Sequence, residues 1–98
     1  MPKYVIERTI PGAGRLNDAE VCQVAAKSNG IIEEIGKKIQ WLHSYVTDDK
    51  IYCVYVADSE DTIRKHAEMG GFPAETISRV ARVIDPTAAE PRNLALVD

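Results

Sequence analysis

Ile39 to Ala57 reads IQWLHSYVTDDKIYCVYVA, and this stretch decides the fold. Two runs rich in β-branched and aromatic residues, Ile39–Val46 and Ile51–Ala57, flank Thr47-Asp48-Asp49-Lys50. Aspartates suit a turn because they bond their own backbone and tolerate unusual dihedrals. With Asp48-Asp49 at the tip of a hairpin, Thr47 faces Lys50, Val46 faces Ile51 and His43 faces Val54. Strict alternation then puts Trp41, His43, Tyr45, Tyr52, Val54 and Val56 on one sheet face. Leu42, Ser44, Val46, Ile51, Cys53 and Tyr55 occupy the other.

Towards the N-terminus, Tyr4–Thr9 (YVIERT) is a further strand, stopped by Pro11-Gly12-Ala13-Gly14. Asn17 is placed to cap a helix, with Glu20 three residues on to complete a capping box. Val21, Val24, Ala25, Ser28, Ile32 and Ile35 recur at helical spacing, and Gly36 is the expected stop. Gly30 within this helix implies a bend or a close neighbour. Towards the C-terminus, Ser59 caps a second helix with Glu60 and Asp61 in its first turn. Ile63, His66, Ala67 and Gly70 share one side, and Gly70-Gly71 ends it. Ala74–Ser78 reads as one more helical turn, Val80–Ile84 (VARVI) as the last strand, and Asp85-Pro86 as its end.

Strand, helix, strand, strand, helix, strand is the split βαβ, or ferredoxin-like, order. Right-handed crossovers give an α+β fold, a four-stranded antiparallel sheet with two helices on one face. A single domain spans 1–86, and 87–98 is a tail, loose or docked through Leu94, Leu96 and Val97 on a partner subunit. Both sheet faces carry apolar residues, yet two helices cover only one. A homodimer that closes the other face, as in dimeric α+β barrels, is the natural solution.

The chain has 98 residues, one domain's worth, and a net charge of −3. Its pI near 5.3 offers no broad attraction to phosphate backbones or anionic lipid. The longest apolar run, Ile51–Ala57, is too short to cross a bilayer. No export signal precedes the first strand, so a cytoplasmic protein is expected, in which Cys22 and Cys53 are free, buried thiols.

RNA-recognition modules share this strand order but need a basic sheet and a Gly-aromatic signature on the third strand. IYCVYVA has neither, and nucleic acid is not an expected partner. Copper-carrying relatives of the fold need a CxxC loop, which is absent. The Gly12–Gly14 loop lacks the third glycine and the lysine-serine pair of phosphate-binding loops, and Asp18 and Glu20 oppose an anion there. No spacing places a Ser-His-Asp, Cys-His or paired-carboxylate constellation, so no catalytic residue is assigned.

Two histidines remain. His43 and His66 belong to different elements, so a metal bound by either draws further ligands from another element, a second chain or water. Imidazole suits nickel, zinc and copper. The plainer reading makes His43 a half-buried strand residue and His66 a helix-edge residue bonded to backbone. A third reading places Trp41, His43 and Tyr45 under the helices with His66 above them. That cleft could hold a small organic molecule or move a proton, as a cofactor-free enzyme would.

YVIERTIPGAG, IQWLHSYVTDDKIYCVYVA, HAEMGGFPAETIS and VIDP together resemble a family of small bacterial ferredoxin-like proteins. The family was long a domain of unknown function and is now described as nickel-binding or nickel-like binding. The resemblance runs from Tyr4 to Pro86. It implies a dimer that binds nickel near its surface and sequesters it rather than acting as an enzyme, with His43 and His66 as the matched imidazole ligands. The alternatives are small-molecule binding in the Trp41/His43/Tyr45 cleft and an interaction module without chemistry of its own.

Overall fold

The computed structural model describes residues 1–90. β1 (Lys3–Thr9), α1 (Asp18–Ile35), β2 (Ile39–Val46), β3 (Lys50–Ala57), α2 (Glu60–Gly70) and β4 (Thr76–Arg79) follow one another. All strand pairs are antiparallel and the sheet order is β2-β3-β1-β4, the ferredoxin-like α+β arrangement.

Local chemistry sets the element ends as the sequence implies. Asn17 Oδ1 accepts from the Glu20 amide at 2.9 Å while Glu20 Oε1 accepts from the Asn17 amide at 3.1 Å, a complete capping box. Gly36 closes α1 with φ 93°, and Gly71 closes α2 in the left-handed region with φ 65°. The Ser59 hydroxyl caps α2 by accepting from the Thr62 amide. Beyond its chain neighbours and the backbone of its own helix, nothing lies within 4 Å of a Cβ built on Gly30, so no close packing partner requires that glycine.

The β2–β3 hairpin turns at Asp48-Asp49, with the Thr47 amide donating to the Lys50 carbonyl at 2.8 Å. The Pro11–Gly14 loop grips this tip. Asp49 Oδ1 accepts from the Gly12 amide at 2.9 Å, the Asp48 carbonyl from the Gly14 amide at 3.0 Å. The aspartates are thereby engaged in structure.

Inward alternation places Tyr4, Ile6 and Arg8 of β1 beneath the helices with Cys53, Tyr55 and Ala57 of β3. Ile63 of α2 meets them at 0% exposure. Ile63, His66, Ala67 and Gly70 are all buried, the face that the helical spacing selects.

The last strand differs from expectation. β4 is Thr76–Arg79, where a helical turn is expected, and Val80–Ile84 is not a strand. Ile77 lies opposite Ile6 and Arg79 opposite Tyr4. The Val80 amide donates to the Lys3 carbonyl, after which β1 has run out and VARVI has nothing left to pair with. Val83 and Ile84 are consequently 68% and 81% exposed. Pro86–Ala89 forms a 3₁₀ turn capped by Asp85. The tail positions Leu94, Leu96 and Val97 lie outside the described residues. Among those residues no helix is long and apolar enough to cross a membrane.

Candidate functional site

A β-bulge at Leu42 decides where the aromatic residues of β2 point. His43 pairs with Val54 and Tyr45 with Tyr52, as the turn requires, but the next pair is Trp41 with Tyr55. Two residues of β2 thus oppose one of β3, and the alternation changes phase. Trp41 joins Ser44 on the helix side, its Nε1 donating to Ser44 Oγ at 2.9 Å across the bulge. His43 and Tyr45 stay on the open face, ring centroids 5.0 Å apart and edge to face. Strict alternation put Trp41 with His43 and Tyr45. The bulge separates them, so these three side chains do not share a cleft within one chain.

His66 lies on the helix side and is fully buried. Its Nε2 and Ser28 Oγ, from α1, are hydrogen-bonded at 3.1 Å, and its ring lies 5.3 Å from Tyr55 and 5.6 Å from Phe72. Nδ1 is buried without a partner. Burial, and then the nearby Arg8 charge, lower its pKa from 6.5 to about 4, so the ring is neutral at pH 7. It is a core histidine rather than a helix-edge residue, and the Ser28 backbone, acting against burial, is the neighbour that favours its charged form. The sheet lies between its ring and His43, so one chain cannot bring both imidazoles onto one ion.

The structure contains a different cleft. α1 covers the sheet closely only from Ser28 onwards; Val21 and Val24 are 45% and 42% exposed. Beneath that half of the helix lies a cleft of about 190 Å³, walled by Leu16, Val21, Val24 and Ala25 and by Trp41, Val46 and Ile51 of the sheet. Arg8, Ser28, Ser44, Cys53 and Tyr55 supply its polar atoms, and Phe72 also lines it. Tyr55 is raised above the usual phenol range, by burial first and then by Cys53, with Arg8 and Ser28 acting in the opposite direction.

Of the residues expected at a site, only Trp41 borders this cleft. Arg8, Ser28 and Tyr55 were missed. The signal for Arg8 was present in YVIERT, where Tyr4, Ile6 and Arg8 alternate onto one side and place a cation on the core face.

The donor sets can be compared with what a metal ion requires. Among the described residues no group of three or more His, Cys, Asp and Glu side chains converges. Cys53 is buried as expected, but Cys22 is exposed on α1, a position the helical stripe skips; both are free. The described residues of one chain therefore bring together no complete set of nickel ligands. His43, exposed on the open face, is the imidazole that solvent or a second chain can reach.

Three comparisons bear on this geometry. A family model described as "Nickel responsive protein SCO4226-like" matches residues 4–80. The crystal structure of SCO4226 from Streptomyces coelicolor A3(2) superposes with a TM-score of 0.70 at 13% identity, over 84% of this chain and 99% of that one, a likeness of fold. No curated protein matches the chain.

Proposed function

The chain belongs to the SCO4226-like family of nickel-responsive proteins, and from that premise we propose that it binds nickel as a non-catalytic cytoplasmic homodimer. The observation that carries the reading is the position of His43, an exposed imidazole on the sheet face opposite both described α-helices.

That face combines half-buried Val5, Tyr52 and Val56 with exposed Tyr45. A second copy packed on it removes this apolar surface from water. It also adds a second His43 and supplies the donors that one chain lacks, with water completing the sphere. Imidazole nitrogen is a good donor for nickel. His66 has no place in this sphere: it is enclosed between α2 and the sheet, and its Nε2 is engaged with Ser28. Reversible capture of an ion without a reaction is sequestration, the role proposed for this site.

Calorimetric titration of nickel into tag-free protein tests the proposal. Saturable binding that His43→Ala abolishes and His66→Ala leaves in place is the expected result. Heat no larger than a lone surface imidazole gives, or binding that survives His43→Ala, overturns it.

A further inference from the structure

Arg8 is buried, cationic and unused by the proposed nickel chemistry. It is 3% exposed at the inward-facing end of β1. Its Nε donates to Cys53 Sγ at 3.4 Å and its Nη1 donates to the Pro73 carbonyl. Its Nη2 is buried and has no partner. The ion pairs among the described residues are Lys50–Glu7 and Arg64–Glu60, so no described carboxylate lies within 4 Å of the guanidinium. An arginine does not shed its proton to escape such a position, and a buried charge without a counter-charge is destabilising.

This cation borders the cleft under α1, whose remaining walls are mostly apolar. A second cation stands nearby: Arg8 Cζ is 5.5 Å and Lys27 Nζ 5.3 Å from the centroid of the Phe72 ring. Positive charge is thus concentrated here in a chain whose net charge is −3. The Ser28 and Tyr55 hydroxyls border the same cleft. The Ser28 hydroxyl is shared between His66 Nε2 and Tyr55, which leaves Arg8 as the cationic anchor of the cleft.

We infer that this cleft binds a small organic carboxylate with a compact apolar body, its carboxylate paired with Arg8 and its body against Trp41, Val24 and Leu16. About 190 Å³ is below the roughly 300–1,000 Å³ of clefts for drug-sized ligands, which fits a single ring or a short branched chain. Arginine meets a carboxylate with charge-assisted hydrogen bonds, and the low-dielectric surroundings strengthen them. Nη2 is closed off from water, so entry turns the guanidinium or moves the half-buried Phe72 ring, which sits in the loop after α2.

Trp41 is the single tryptophan and lines the cleft, so its emission reports occupancy. The probes are benzoate, phenylacetate and 3-methylbutyrate, each beside its neutral primary amide, titrated with a chelator present so that the result is independent of nickel. At least one carboxylate is expected to give a saturable change, with its amide at least tenfold weaker. Arg8→Gln is expected to remove that preference, and Ala25→Phe, which fills the cleft and leaves Arg8 in place, to remove binding. The inference is overturned if no carboxylate saturates at millimolar concentration, if acid and amide bind alike, or if a folded Arg8→Gln protein retains the preference.

Discussion

Protonation of His66 is expected to loosen the fold in mildly acidic solution, and the size of the effect follows from its surroundings. The ring is fully buried among Ser28, Tyr55, Phe72 and the Arg8 charge, and its pKa falls from 6.5 to about 4. Above pH 6.5 neither the folded nor the unfolded chain protonates this imidazole, and its contribution to stability is constant. Between pH 6.5 and 4 the unfolded chain takes up a proton that the folded chain refuses, so stability falls as pH falls. One pH unit is worth about 1.4 kcal/mol, so the loss reaches about 2 kcal/mol at pH 5 and about 3 kcal/mol at pH 4. Against a typical total of about 5–15 kcal/mol this is a large fraction. Urea unfolding at pH 8, 7, 6 and 5, for wild type and His66→Gln, isolates it, because the other titrating groups are common to both. Wild type is expected to lose about 2 kcal/mol more than the variant between pH 8 and pH 5. Parallel curves, differing by less than about 0.5 kcal/mol over that range, would refute the assignment of a buried neutral ring.

Two glycines in helices are expected to respond oppositely to alanine. A Cβ on Gly30 meets nothing within 4 Å, so Gly30→Ala stabilises by about 0.5–1 kcal/mol through helix propensity. A Cβ on Gly70 overlaps the Phe72 ring and falls 3.0 Å from Ile31 Cδ1, so Gly70→Ala costs about 1–3 kcal/mol. Denaturant midpoints that move the same way in both variants would contradict this. Asn17→Ala removes the acceptor for the Glu20 amide and is expected to cost about 1 kcal/mol in the same assay.

The parts of the fold legible in the sequence were those written in short-range chemistry. Asn17 with Glu20, Ser59, Gly36 and the Asp48-Asp49 tip each satisfy or turn a neighbouring backbone, so nearby residues suffice to read them. The bulge at Leu42 was not legible. Trp41-Leu42-His43 contains neither glycine nor proline, and a two-against-one count appears only when the partner strand is in place. That single residue moved Trp41 to the other face and dissolved the expected Trp41/His43/Tyr45 cleft. The β4 boundary was misplaced for a related reason. VARVI has the stronger strand composition, but Lys3 is where β1 stops offering partners, so the pairing falls on Thr76–Arg79. At the site, sequence spacing identified two imidazoles without revealing that the sheet lies between them. Arg8 went unnoticed because charged residues are normally solvated, and only strand alternation placed it inside.

Native mass spectrometry of the nickel-loaded chain tests the central claim most directly, since it reads subunit count and bound metal together. The account predicts a dimer of two 10.8 kDa chains that carries nickel, and a His43→Ala protein without it. A monomer that holds nickel, or a His43→Ala protein that still carries the metal, would contradict it.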